Sequence, residues 1–594
     1  VPLLAARLLP PALLFALAAS GDAQTSPATP CEPIPVWENG REVESRCEFE
    51  LPDGFVVIDL RDDWAPRILR GDPAQPQPYL PIYLALAQER PAPTLAGASA
   101  VVDRHYEPFG IFPTISVVRR RLIEDHRHAC HDEIDPTPLA APGRRTIAPR
   151  SRQDDPSAQD AIVAMNLHLA CDGYLSGDAR PGDFGAAVQR ALALYQRRHM
   201  LLSRPALDVA TRATLATSSR ELDFRTLLRV LRERIVDATG LIEDGSAGNA
   251  WRPVLDRFLE PSAYREILRP EPLANAAPDL IAEATERAAQ ALGWISPEAA
   301  RAALVDGWPM RAAIRLPARP AYHAFPAKLR AEIDRGDVWR QRPVDVDGRA
   351  RPSPVRRRPT RVIYAETDRG EVALVRWPTT IGAFKPEKYP DGSIDLRYKA
   401  SPVGRRYWRD LIAAPAWYPP PSTPDRELIR RLSGDRWTID DEAIGPGYRS
   451  AYGLVALAHH RAVEVPGGKA DLFDSQIRTH GSGNYRSILR GSSHGCHRLF
   501  NHLALRLGSF LLLHRAHVRE GLIEERYERA VHWKGQTKRL RVTARGYRYR
   551  LDPPVAVDVL PGRNVRVPSQ PHRLDITPTA TLGFWPTHGP NLER

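Results

Sequence analysis

His480-Gly-Ser-Gly-Asn-Tyr-Arg-Ser-Ile-Leu-Arg-Gly-Ser-Ser493-His494-Gly495-Cys496-His497-Arg498-Leu499-Phe500-Asn501 gathers three histidines, one thiol, four glycines and three arginines into a single short run. No folding role needs that mixture. A free cysteine has a pKa of about 8.5, so at neutral pH it is mostly the weakly nucleophilic thiol, and a nearby imidazole or cation is the usual way to raise the thiolate fraction. His480, His494 and His497 are the candidates for that imidazole. Glycine at 495 removes the side chain beside the sulfur and permits a turn whose backbone N–H groups face a reacting carbonyl. One such donor is worth roughly 3 kcal/mol of transition-state stabilisation.

His-Gly at 480 and 481, then Ser-His-Gly-Cys-x-Arg-Leu with Asn501 three residues after Arg498, resembles the signature of the L,D-transpeptidase (YkuD-type) catalytic domain. Upstream, Val403-Gly404, the run Ala414 to Pro420, Gly445-Pro446-Gly447 and Tyr452-Gly453-Leu454 are similar to the region before the catalytic strand in large, multidomain Gram-negative members. The resemblance covers about residues 355 to 525. It implies Cys496 as nucleophile and His480 as its base, oriented by a carbonyl near Gly481. It further implies that Ser493, His494 and Gly495 shape the pocket, with the N–H groups of 495 and 496 as oxyanion hole. Arg498 then steadies the loop or meets a stem-peptide carboxylate, against the plainer reading of a surface ion pair. His497 stands where the family has an aliphatic residue and is expected as a substituted wall contact. His459 and His460, on an expected strand from Gly453 to Val465, are left out of the site as packed or solvated residues.

Outward from this core, Arg361-Val-Ile-Tyr-Ala and Glu371-Val-Ala-Leu-Val-Arg-Trp flank Asp368-Arg369-Gly370, which predicts a hairpin and the start of a β-rich domain. Residues 219–350 carry amphipathic patterns such as Leu222 to Val236 and Pro278 to Leu292 and are expected to form a helical scaffold. Between 156 and 218, Val188, Leu192 and Tyr195 recur at i, i+4 and i+7. That segment, with Asp183-Phe184, Gln196, Leu207-Asp208 and Thr211, resembles a three-helix peptidoglycan-binding domain. Ser203-Arg204-Pro205 departs from the usual Asp-Gly turn, and an all-α spacer is the competing reading.

The N-terminal region, 24–150, is expected to be a linker followed by a part of unknown role, with 24 to about 50, rich in Pro, Thr, Ser and Glu, as a surface tether. Arg7, the apolar run Leu8 to Ala19 and the small residues to Ala23 have the layout of a secretory signal over 1–23. Pro10 and Pro11 interrupt the run, which is shorter than the roughly 20 residues a bilayer needs. The catalytic domain is expected over 355–550, with 551–594 as a tail. The fold class is therefore multidomain α+β, helical first and mostly β at the catalytic end.

A length of 594 residues calls for more than one core, because a single core stops growing at about 250 to 300 residues. A net charge of +12 suits an anionic partner. Spread-out arginines with neither zinc-finger spacing nor an aromatic RNP-like stretch argue against nucleic acid. Of five cysteines, four are expected to pair in an oxidising compartment and leave Cys496 free. Cys31 with Cys47 closes a short loop; Cys130 with Cys171 is the second pair expected, with no pattern of its own to choose it.

What the resemblance implies in full is an exported periplasmic or wall enzyme, without metal or organic cofactor, acting on peptidoglycan stem peptides and glycan. It forms cross-links through a cysteine thioester and serves wall organisation and cell shape, with a wall-anchored lipoprotein as a further conceivable acceptor. Two rivals stand beside it: a hydrolase on the same domain, in which water resolves the thioester, and a non-catalytic wall-binding scaffold.

Overall fold

A nine-stranded sheet organises the C-terminal half of the chain. The computed structural model describes residues 31–90, 110–140, 146–149, 155–175, 182–201, 205–251, 271–340, 342–343, 349, 357–432, 435–464 and 470–566. The expected signal at 1–23, the Ser203-Arg204 departure and most of the expected tail lie outside them. In space the strands run Gly370–Pro378, Thr360–Thr367, Leu329–Asp334, Gln536–Val559, Gly404–Ala413, Val455–Glu464, Ala470–Ser482 and His497–Phe500, and His517–Trp533 pairs along Gln536–Val559. The hairpin at Asp368-Arg369-Gly370 is formed, with Gly370 at positive φ.

Two members of this sheet come from outside the expected catalytic boundaries. Leu329–Asp334, from the expected helical scaffold, pairs in parallel with the stretch Ala556 to Val559, from the expected tail. Both corrections have the same cause. Val555, Val557 and Val559 alternate into the core, a strand pattern that Pro553 and Pro554 had disguised, and Leu329, Ala331 and Ile333 do likewise in a strand too short to stand out. The scaffold segment is accordingly mixed: the long helix Ser219–Thr239 and the helices Leu280–Ala291 and Pro297–Val305 are followed by strands.

The expected tether is also corrected. Ile34–Glu38 and Arg41–Arg46 form a hairpin in a four-stranded sheet ordered Arg41–Arg46, Ile34–Glu38, Arg311–Arg315, Phe55–Asp59. Its Pro, Ser and Glu content reads as a linker, yet Ile34 and Val36 alternate into a small core with Ala313, and the Cys31–Cys47 disulfide closes the hairpin.

Described residues between Leu139 and Leu222 build a separate core around the helices Pro156–Cys171, Ala186–Arg198 and Val209–Leu215, and Val188, Leu192 and Tyr195 all belong to it. The residues that carried the resemblance there have local folding duties. Asp208 caps the third helix by accepting from Thr211 N–H at 2.8 Å, Gln196 Nε2 donates to Thr211 Oγ1 at 2.9 Å, and Asp183 accepts from Gly185 N–H at 2.9 Å. A second disulfide, Cys130–Cys171, ties this unit to the helix Asp125–Asp132.

The main core, by contrast, runs without a break from Ile58 through the long helix to the nine-stranded sheet. Gly508, in the helix Asn501–His514, lets Ile68 approach so closely that an added Cβ would stand 3.1 Å from it. Polar ties reinforce the contact. Arg506 Nη2 meets buried Glu233 of the long helix at 2.7 Å, and Trp377 Nε1 donates to Asp244 at 2.8 Å. Among the described residues no helix is long and apolar enough to cross a membrane.

Loop-closure entropy sets the expected weight of the disulfides. Replacing Cys130 and Cys171 together by alanine, which frees a 41-residue separation, is expected to cost about 4 kcal/mol in urea unfolding, and the 16-residue Cys31–Cys47 loop about 3 kcal/mol. Melts unchanged from the parent protein would show that these bonds do not constrain the unfolded chain.

Candidate active site

Parallel strands cannot be joined by a tight turn, so the chain between Ala470–Ser482 and His497–Phe500 must cross over. It does so through the short helix Tyr485–Arg490, capped by Asn484 and ended by Gly491 at φ +66°. Ser492–Ser493 then pairs in parallel with Ile381 and Gly382. The return strand is set in register as Thr479↔His497 and His480↔Arg498. Cys496 therefore enters just ahead of the pairing, where the backbone N–H of Arg478 hydrogen-bonds its sulfur. This thiol is free and half-buried, and the four other cysteines are paired.

The turn itself is stapled by Ser493. Its Oγ lies 2.6 Å from both Ile381 O and Cys496 O, and it accepts from Gly495 N–H at 3.1 Å. Thr380 Oγ1 also donates to Cys496 O, at 2.8 Å. Gly495 sits at φ +107°, a region that disfavours any side chain. One expectation is corrected here: the Gly495 N–H, assigned to an oxyanion hole with that of Cys496, is spent on the Ser493 hydroxyl. His494 is half-buried beside this turn.

His480 is buried, and its Nδ1 lies 2.5 Å from Gly481 O. A carbonyl only accepts, so Nδ1 carries the proton and Nε2 is the basic nitrogen. Burial, helped by the Arg498 charge, pulls this imidazole down to about 3, so it is neutral at physiological pH. Burial pushes the Cys496 thiol up, against the pull of the Arg478 N–H and the Arg478 and Arg498 cations. The pair thus rests as neutral thiol and neutral imidazole. No hydrogen bond joins them among the described residues; catalytic contacts of this kind commonly tighten when substrate enters.

The Tyr452 ring packs edge-on against His480 at 5.0 Å between centroids, and burial raises its hydroxyl pKa. Residue type and spacing assign no site role to Tyr452 or to Asn501. The Asn501 Oδ1 accepts from Leu454 N–H at 3.1 Å and its Nδ2 donates to Tyr448 O at 2.7 Å. Added Cβ atoms at Gly453 and Gly481 would stand 2.1 and 2.2 Å from that same oxygen. This explains the glycine at 481: the His480 strand, the Tyr452 turn and the helix Asn501–His514 meet at one amide.

Arg498 is buried and is no surface ion pair. Its Nη1 donates to Ser487 Oγ at 2.9 Å, and no carboxylate faces it among the described residues. His497 is also buried, with Nε2 3.0 Å from Ser401 Oγ and Nδ1 3.1 Å from Thr380 O. Beneath the site lies a further cation that hydropathy gave no means of finding. Arg361 is fully buried, donates to Thr479 Oγ1 at 2.8 Å and is pulled down to about 9 by burial. His459 Nε2 accepts from Trp408 Nε1 at 3.0 Å and lies 2.8 Å from Thr479 Oγ1, so His459 is a packed residue of this layer. Among the described residues no cluster of three His, Cys, Asp or Glu side chains is placed to hold a metal ion.

Residues 355–518 match the family model described as YkuD, L,D-transpeptidase catalytic domain. No curated protein matches the chain.

Two outcomes are expected. Because burial holds the Cys496 thiol protonated, its alkylation by iodoacetamide, followed by intact mass, should keep accelerating from pH 6 beyond pH 8.5; a rate already level between pH 5 and 7 would reveal a preformed thiolate. Asn501→Ala should strand the Leu454 N–H and the Tyr448 carbonyl, costing about 2 kcal/mol or more in thermal or urea melts and slowing alkylation of Cys496.

Proposed function

Because residues 355–518 match the family model of the L,D-transpeptidase (YkuD) catalytic domain, we propose that this protein is an exported cysteine acyltransferase that cross-links peptidoglycan stem peptides. The observation that carries the reading is the free thiol of Cys496, held in a glycine turn next to the strand of His480, whose Nδ1–H is fixed on the Gly481 carbonyl. A base with one nitrogen anchored as N–H and the other left unprotonated is what a neutral thiol needs to become a nucleophile. Two disulfides elsewhere in the chain support an oxidising, extracytoplasmic setting.

The proposed reaction has two halves. His480 Nε2 takes the Cys496 proton as the sulfur attacks the carbonyl at the L-centre of diaminopimelate in a donor tetrapeptide. The tetrahedral oxyanion collapses, the imidazolium returns its proton to the leaving amine, and terminal D-alanine departs, leaving a thioester. An amine of a neighbouring stem then attacks the thioester, loses its proton to His480 and releases the thiol as a 3-to-3 cross-link forms. The Cys496 N–H is the proposed oxyanion donor, with Gly495 N–H holding the turn. The helical unit at 156–218 is proposed as a wall-contacting module.

The test is incubation of the mature protein and its Cys496→Ala variant with disaccharide-tetrapeptide, followed by intact mass and chromatography of soluble products. A Cys496-dependent acyl adduct with cross-linked dimers is expected. An adduct that yields only tripeptide would replace the transferase with a hydrolase, and a wild-type protein that forms no adduct would leave a wall-binding scaffold as the better account.

A further inference from the structure

Lys385 lies in the strand Ile381–Lys388, whose first two residues pair with Ser492 and Ser493 at the entrance to the cysteine turn. Its other neighbour is Ile394–Lys399, with Lys385 opposite Arg397. This hairpin closes tightly on the turn. A Cβ at Gly382 would overlap Lys399 O at 1.6 Å, and one at Gly495 would stand 3.0 Å from Ala400 O.

The charges at this junction do not balance. Lys385 is half-buried, and its ammonium makes no hydrogen bond or ion pair among the described residues. The charged groups that act on it are Arg498 and Arg490, of like sign, and Glu427, of opposite sign. Burial and the two guanidiniums pull its ammonium down to about 8, a value at which it is still mostly charged at neutral pH. Arg498 is buried with its Nε unpartnered and no facing carboxylate among the described residues, and it lies within the field of Cys496 and Tyr452. Withdrawing cations from water with only Glu427 to offset them is costly, and the cost falls when an anion arrives.

We infer that Lys385 and Arg498 together bind the free α-carboxylate of the donor peptide's terminal residue, which makes Lys385 a specificity determinant for unamidated donors. The inference rests on the reading of Cys496 as the acylated group. The position suits the chemistry. That carboxylate stands one residue beyond the scissile carbonyl, and Arg498 is the cation that links the surroundings of Cys496 to Lys385. A planar guanidinium supplies directed donors to a carboxylate and an ammonium supplies a compact point charge. The same cations would also accept the side-chain carboxylate of diaminopimelate, so the two sources must be separated by experiment.

Acylation of Cys496 is therefore measured with the full mature protein and three donors: the disaccharide-tetrapeptide, the same compound amidated at its terminal carboxylate, and one amidated only at the diaminopimelate carboxylate. Lys385→Gln is expected to lower kcat/KM on the free acid about tenfold, mainly through KM, and to change the terminally amidated donor less than twofold. Lys385→Arg should restore most of the loss. Because the acid-to-amide ratio is read within each variant, partial unfolding cancels. An equal loss on all donors, or none on the free acid, would overturn the assignment. Discrimination that vanishes only with the side-chain amide would move the subsite to the other carboxylate and overturn the terminal one. A wild type that none of the donors acylates would overturn the reading of Cys496, and this subsite with it.

Discussion

The Asn501 side chain is the constraint on which the site geometry depends. One amide satisfies the Leu454 N–H and the Tyr448 carbonyl, and its oxygen fills the space that side chains at Gly453 and Gly481 would need. Three elements with no local reason to meet, the Tyr452 turn, the His480 strand and the helix that begins at Asn501, are thereby held to one geometry. The parallel register of His480 against Arg498 then places Cys496 ahead of the pairing. A slip by one residue would turn His480 to the opposite face of the sheet, so this arrangement tolerates no looseness.

Electrostatically, the site is a set of buried cations around groups kept neutral. Arg361 below and Arg498 beside the histidines both disfavour protonation of His480, and burial acts in the same direction. An imidazole held down to about 3 is a weak base in water terms, yet it is fully available at every physiological pH. The thiol is its counterpart: pushed up by burial, it waits as SH and does not oxidise or alkylate as a standing thiolate would. Both members of the pair therefore rest uncharged at physiological pH.

Much of this was legible from residue types. A mixture of thiol, histidines and glycines within one short segment has no folding explanation, and the hairpin at Asp368-Arg369-Gly370 and the apolar face of Val188, Leu192 and Tyr195 follow from periodicity. The misreadings also have physical causes. Ile34 and Val36 bury themselves from a segment whose prolines and acids look like a linker, and Pro553 and Pro554 conceal the alternation of Val555, Val557 and Val559. Beyond reach altogether were facts of three-dimensional bonding: the Gly495 N–H spent on Ser493, the buried Arg361, and the two-sided grip of Asn501. Composition reports which groups exist; it does not report which lone pair a given N–H will find.

Because Leu329–Asp334 lies between Thr360–Thr367 and the far end of Gln536–Val559, the nine-stranded sheet is a structure of high contact order. Arg330 has to wait for Ala556 before its side of the sheet can close, and such long-range parallel pairing is slow. A chain that emerges from its N-terminus presents Cys496 and His480 before the strand that completes their sheet has arrived. The order of the chain itself thereby times when the thiol and the imidazole come to share a finished sheet.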